Sequence, residues 1–309
     1  MKLSLSTNWC NRSIEDGAEI AEKALELGFD ELELGFRTTH AQVPGFKAML
    51  SKIPVGSIHA FCPVPPGAPD GHPELYRLAN FSKADRELAA AHVKANIRFA
   101  SSISADTVVL HAGRVAFNSL FKAMDSFSLR AEFKKGDNKL EAKGYAKLLA
   151  AAWKRRRSQG KKALSIFYKT LEGVIPVLEK ENVTLALENL PYLEGFPDEE
   201  ELAVVLAKFK GAPVKGWFDT GHHRVRHMLG WIKPDFAEYG LGPESFAGMH
   251  LNDVEDYNDD HLAPGDGKVD FASLKPYALA AKHIVFEPNA AVEKESIKSG
   301  VALIRRLWA

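Results

Sequence analysis

Eight short apolar runs, separated by amphipathic stretches, limit the folds open to this chain more than any other feature. They are LSLST, ELELGF, VGSIH, DTVVLH, VTLALE, VKGWFD, FAGMH and HIVFE, and they recur from one end of the sequence to the other. Short runs rich in β-branched and aromatic residues, bounded by turn residues, read as strands. Their nearly continuous apolar character suits strands covered on both faces, as parallel sheets require. The segments between them carry helical patterning. In SIEDGAEIAEKALELG, Ser13 and Asp16 stand at capping-box spacing and Gly28 follows the last turn as a stop. Strand and helix in alternation imply parallel pairing, and eight such units predict a closed (β/α)8 TIM barrel of the α/β class. An open doubly wound sheet would call for a glycine-rich phosphate loop after the first strand, and STNWCNRS contains no glycine.

The units repeat at about 25 to 35 residues, except between DTVVLH and VTLALE, where the gap is roughly twice that. Residues 115–160 therefore read as a helical insertion after strand 4, emerging on the catalytic face of a barrel as a lid or an oligomer contact. No linker or internal repeat interrupts the chain. Residues 1–309 are expected to form one domain, not far above the ~250 residues common for such barrels. Within the insertion, WKRRRSQGKK (Trp153 to Lys162) lacks the aromatic interleaving of a nucleic-acid surface and reads as a solvated helix end.

Charge and composition narrow the partners. Lys plus Arg and Asp plus Glu both number 40, so no net field draws in nucleic acid or an acidic membrane surface. No apolar run approaches the ~20 residues of a membrane span, and MKLSLSTNWC reads as a strand, not as a signal peptide. The two cysteines, Cys10 and Cys62, are far apart and in no C-x-x-C arrangement, which excludes a cysteine zinc cage and fits a reducing compartment. Cys62 reads as a packed thiol. A soluble, cytoplasmic protein is expected.

The functional signal lies at the ends of the runs. His59, His111, Glu188, Asp219, His250 and Glu287 close six runs in succession, although Asp, Glu and His make up only about one residue in six. In a parallel barrel these side chains converge on the C-terminal mouth, where barrel enzymes hold their chemistry. Buried carboxylates pair, raise their pKa or bind a cation, and a mixture of imidazole and carboxylate suits a divalent transition metal. Zn or Mn fits best, with Co, Fe or Mg also compatible. FDTGHH adds His222, and NDDHLAPGDGKVDF adds Asp259 and His261 at D-x-H spacing. His223, Arg224, Arg226 and His227 read as a solvated helix face.

At these residues the chain resembles the xylose isomerase-like TIM barrel superfamily, which includes ketose 3-epimerases, inosose dehydratases, hydroxypyruvate isomerase-like proteins and the endonuclease IV group. The resemblance spans essentially the whole chain and rests on LEN, FDTGH, MHLND and HLAPGDGKVDF. It implies a metal site at Glu188, Asp219, His250 and Glu287, a substrate contact at His222 and a substrate-contacting carboxylate at Glu194. The acids of HLNDVEDYNDD depart from the arginine that ketose epimerases of the family commonly carry after the strand 7 histidine. All nine positions resembling the trinuclear zinc ligands of endonuclease IV are present: His59, His111, Glu188, Asp219, His222, His250, Asp259, His261 and Glu287.

Two mechanisms follow from one residue set. In a metal-dependent isomerase or epimerase of sugars or sugar phosphates, Glu188 and Glu287 pass a proton beside a carbonyl through an enediolate, and His59, His111, Asp259 and His261 line the sugar pocket. In a trinuclear zinc phosphodiesterase, His59 and His111 join Glu188 on a second metal, and His222, Asp259 and His261 bind a third. The acidic loop beside the site and the proline-rich PVPPGAPDGHP offer little surface for nucleic acid. Sugar chemistry on a small-molecule carbohydrate is therefore the expectation. A barrel that binds a metal or ligand without turnover is the third class, and the presence of both Glu188 and Glu287 argues against it.

Overall fold

In the computed structural model, which describes residues 1–115 and 124–309, each apolar run contains a strand. The strands are β1 (Ser4–Ser6), β2 (Glu31–Leu34), β3 (Val55–His59), β4 (Thr107–Leu110), β5 (Gly113–Arg114), β6 (Thr184–Glu188), β7 (Gly195–Phe196), β8 (Val214–Asp219), β9 (Phe246–Leu251) and β10 (His283–Phe286). Eight of them close into a parallel barrel in the order β1-β10-β9-β8-β6-β4-β3-β2. Closure is made by β1, which pairs Leu5 with Leu32 on one side and with Phe286 on the other. The two short strands β5 and β7 form a separate antiparallel pair on the loops that follow β4 and β6.

The main core lies between the outer faces of the strands and the surrounding helices, as in Ile20, Phe46, Val93, Phe167 and Ile304 against Leu32, Ile58 and Leu185. Inside the barrel, Val109, Ala186, Trp217 and Val285 form a buried group of their own. Gly248 makes room for it, since a Cβ there would come within 2.3 Å of the Trp217 ring. His250 rests against that indole, with ring centroids 5.1 Å apart. The lumen thus has an apolar floor that holds the polar groups at the mouth.

Helix α1 (Gly17–Glu26) starts later than its capping-box spacing predicts. Asp16, not Ser13, is the N-cap, accepting from the Ala18 N–H, and the Ser13 hydroxyl donates to the Cys10 carbonyl instead. Gly28 ends the helix as expected, with φ of 88°.

The insertion contains α4 (Ser126–Lys135) and α5 (Lys143–Glu172); residues 116–123 of it lie outside the described part. Position 160 is not a boundary, because α5 runs 30 residues without a break. Its second half packs on the barrel through Ala163, Phe167 and Leu171. Its first half joins α4 in a second apolar cluster in which Leu129, Phe133, Tyr145 and Ala152 meet Leu193, Val225 and Trp231.

The run from Trp153 to Lys162 is accordingly mid-helix, and Arg156 within it is fully buried. Its guanidinium bonds to Glu201 and to the carbonyls of Leu193 and Gly195. The helix face of α8 (Thr220–Met228) is likewise not all solvated. Arg226 is buried in an ion pair with Glu199 at 2.6 Å, and the His223 ring packs 4.6 Å from Phe236. In both helices a buried counter-charge turns a residue type that usually faces water inward. No helix among the described residues is long and apolar enough to cross a membrane.

Candidate active site

Parallel register brings the run-end residues to one level. His59, Glu188 and Asp219 are the last residues of β3, β6 and β8, and Asp219 stands opposite His250 in the β8–β9 ladder. His250 is one residue inside the end of β9, while His111 and Glu287 lie one beyond β4 and β10. All six side chains meet in the mouth, and each is at least nine-tenths buried.

Glu188 is the hub. Its Oε2 lies 3.3 Å from His59 Nε2 and 3.2 Å from His111 Nε2, while its Oε1 lies 3.3 Å from His222 Nδ1 and 3.5 Å from His250 Nδ1. His250 Nδ1 is also 3.3 Å from Glu287 Oε2 and 3.8 Å from Asp219 Oδ2. Asp259 sits between His222 Nε2, at 3.5 Å, and His261 Nε2, at 3.3 Å. Three groups result, each with ligand-type atoms within 4.8 Å of one another: His59, His111 and Glu188; Glu188, Asp219, His250 and Glu287; and His222, Asp259 and His261.

Four of the five imidazoles are held by one nitrogen with the other turned into the cluster. The Nδ1 atoms of His59, His222 and His261 lie 2.6, 2.8 and 2.8 Å from the carbonyls of Ala60, Asn189 and Glu287. The Nε2 of His250 lies 3.0 Å from Glu33 Oε1. A carbonyl or carboxylate only accepts, so each of these nitrogens carries a proton, and the opposite one faces inward, where it offers a lone pair once its own proton is displaced. Metal-ligating histidines are oriented in this way. Both Glu188 oxygens, Nδ1 of His250 and one Asp259 oxygen are buried without a hydrogen-bond partner. Such orphaned atoms, gathered on one space, fit divalent cations well.

The electrostatics agree. Burial opposes the charge on Glu188, yet His111 and His250 hold its carboxyl well below the usual range. Burial opposes the charge on His222 and His250 too, but the carboxylates around them raise both far above an ordinary imidazole, and Asp259 carries His261 up to about 10. Asp219 is pushed up to about 6 by burial, which outweighs the attraction of His222, with the Glu188 charge adding repulsion. Protons shared among these groups are what a bound cation would displace.

Several supports carry no run-end signal. Glu33, fully buried on β2, accepts from His250 and from the Ser57 hydroxyl at 2.9 Å. Asn8 donates to Glu287 Oε1 at 3.1 Å. Asp219 caps α8 by accepting from the His222 N–H at 2.7 Å, and its other oxygen accepts from Asn252 at 2.7 Å. The buried Asp253 carboxylate accepts the N–H groups of Val254, Gly265, Gly267 and Val269, which folds the loop bearing Asp259 and His261 back over the mouth. Glu194 departs from its expected place. Its carboxylate accepts from the N–H and hydroxyl of Ser126 on α4, and it is absent from the cavity wall.

That cavity holds about 450 Å³. Its inner end is lined by His59, His111, Glu188, His222, Asp259, His261 and Glu287, and its outer wall by Asn8, Arg12, Phe36, Arg37, His72, Tyr192 and Asn289. Tyr192 is held in place by Arg114, whose guanidinium lies 3.7 Å over its ring and is fixed in turn by Glu74.

Comparison with known proteins adds family and fold. The model of the xylose isomerase-like TIM barrel family matches residues 21–306. Among solved structures, 3-keto-D-glucoside 4-epimerase YcjR from E. coli is 13% identical with a TM-score of 0.67, and covers 99% of both chains. The TTHB071 protein from Thermus thermophilus, solved after soaking with zinc chloride, is 19% identical with a TM-score of 0.60, and covers 99% of this chain and 98% of its own. A curated relative, the uncharacterized protein MJ1311 of Methanocaldococcus jannaschii, is 22% identical over 136 residues. That match covers 43% of this chain and less than half, 44%, of the relative.

Proposed function

We propose that this chain, which belongs to the xylose isomerase-like TIM barrel family, isomerises or epimerises a small carbohydrate by moving a proton at a carbon next to a carbonyl. The observation that carries the reading is the buried quartet Glu188, Asp219, His250 and Glu287, of which Glu188 and Glu287 line a cavity of small-molecule size. These four residues would hold a divalent metal. When bound, such an ion polarises a carbonyl and stabilises the charge that develops as the neighbouring proton leaves.

The protein groups account for the proton itself. Glu188 and Glu287 come from strands three places apart around the barrel and approach the same His250 nitrogen from two sides. Burial opposes ionisation of Glu287, but His250 and His261 hold its carboxyl below the usual range, so it stands ready to accept a proton. One carboxylate removes the proton and the other returns one, to the opposite face for an epimer or to the adjacent carbon for an isomer. Asn8 bonds Glu287, and His222, which lines the same cavity, would orient a substrate hydroxyl. The similarity in fold to a sugar epimerase supports this reading.

A second reading is favoured by one specific observation. Glu188 directs one oxygen to His59 and His111 and the other toward His250 and His222, as a carboxylate bridging two ions would, and the His222, Asp259 and His261 group offers a third site. Phosphodiester hydrolysis by three zinc ions would use that arrangement. Elemental analysis of purified protein, combined with solvent deuterium exchange into a panel of ketoses and inososes, separates the two. About one metal per chain with exchange supports the carbohydrate reading. Three zincs, cleavage of abasic-site DNA and no exchange would replace it.

A further inference from the structure

The cavity has two chemically distinct ends, and only the inner one is used by the proposed proton transfer. On the outer wall, Arg12 follows β1 and Arg37 follows β2. Arg12 is exposed and ion-paired with Asp70. Arg37 is half-buried, its Nε is shut off from water without a hydrogen-bond partner, and no carboxylate among the described residues pairs with its guanidinium. The nearest acids are committed elsewhere, Asp70 to Arg12 and Glu287 to Asn8 and His250.

Arg37 is nonetheless held in position. Its guanidinium lies 4.8 Å over the Phe36 ring, and its backbone N–H donates to the Asn8 side-chain oxygen at 3.3 Å. The amide nitrogen of that Asn8 donates to Glu287, so a single side chain links the Glu287 carboxylate to the backbone of Arg37. Partial burial and then the like charge of Arg12 lower the pKa of Arg37, though an arginine keeps its charge under all ordinary conditions. A half-dry guanidinium with unused donors needs an acceptor, and the planar fork suits a phosphate or carboxylate.

We propose that Arg37, with Arg12 beside it, binds an anionic group on the substrate, a phosphoryl or carboxylate substituent remote from the reacting carbons. The proposal rests on the carbohydrate reading of the same cavity and narrows it to acidic sugars.

Solvent deuterium exchange into matched ketoses tests it, with each sugar supplied neutral, as its terminal phosphate and as its terminal carboxylate, using metal-replete wild type, Arg37→Gln and Arg37→Lys. Wild type should favour one anionic series over the neutral one by at least about 100-fold in kcat/KM, the range of one or two charge-assisted hydrogen bonds. Arg37→Gln should cut that preference by at least about ten-fold, mainly through KM, and Arg37→Lys should restore part of it. The favoured series identifies the group. Equal rates on neutral and anionic sugars, or an undiminished preference in Arg37→Gln, would overturn the subsite and leave the proton transfer standing. If no sugar exchanges, the reaction itself is wrong, and calorimetric titration with inorganic phosphate then decides the subsite. Binding at least about ten-fold weaker to Arg37→Gln than to wild type supports it, and equal affinity overturns it.

Discussion

His250 Nε2 and Glu33 Oε1 lie 3.0 Å apart, both fully buried, and this contact decides which nitrogen of His250 faces the ligand cluster. Because Glu33 can only accept, Nε2 carries a proton, and Nδ1 is the nitrogen turned toward Glu188, Asp219 and Glu287, free to act as a ligand once its own proton is displaced. The two residues are 217 positions apart in the chain, and the barrel alone brings them together.

Replacing Glu33 with Gln removes the charge that fixes this tautomer while keeping the volume. Metal affinity should fall by about 10–100-fold, as it does when outer-shell partners are lost elsewhere. Competition with a chromophoric chelator measures it. An unchanged affinity would mean that the contact is only packing.

Arg156 ties the insertion to the cavity wall. Its Nη1 and Nη2 bond to the two oxygens of Glu201 at 2.8 and 2.6 Å, and its Nε and Nη2 hold the carbonyls of Leu193 and Gly195, on the loop that carries Tyr192. Arg156→Ala leaves buried acids without a partner, which costs about 3–5 kcal/mol. Urea denaturation should show that loss. The same variant should raise KM, because Pro191 and Tyr192 line the cavity.

At the opposite end of the barrel, His283 Nε2 lies 2.8 Å from Asp106, which Lys282 also contacts at 2.6 Å, and His283 Nδ1 is 3.9 Å from Glu31. Burial opposes both charges, but the His283 bond holds Asp106 below 3.8 and the two acids raise His283 above 6.5. The Asp106 contribution is present above its ordinary value and fades as pH falls through the lowered one. The His283 contribution is complete below 6.5 and fades as pH rises through the raised one. The stability difference between wild type and Asp106→Asn should therefore be largest between pH 3.8 and 6.5 and shrink on either side. A difference independent of pH would contradict this assignment.

The barrel is legible in the sequence because its strands are short, apolar and regularly spaced, and the site because parallel strands deliver their last residues to one face. His59, Glu188 and Asp219 stand where that logic puts them, and His250, His111 and Glu287 within one residue of it. Long-range polar partners are not legible. Glu33 sits inside an ordinary alternating run, and nothing local marks it as facing His250. Asp253 reads as one acid among many in HLNDVEDYNDD, although its carboxylate accepts four backbone N–H groups of that loop. Arg156 and Arg226 have the same spelling whether solvated or buried, and only their counter-charges on α7 (Glu199–Lys208) decide between the two. The expectation for Glu194 follows from resemblance alone, and the insertion supplies a Ser126 that competes for its carboxylate.

The most direct test of the account is incorporation of deuterium from solvent at the carbon next to the carbonyl, followed by mass spectrometry for wild type, Glu188→Gln and Glu287→Gln with metal content measured alongside. Wild type should incorporate deuterium into at least one carbohydrate of the panel, and each variant should be slower by about 10²–10⁴-fold, the usual contribution of a positioned acid or base. Exchange in Glu287→Gln as fast as in wild type, or no exchange into any substrate by metal-replete wild type, would contradict the account.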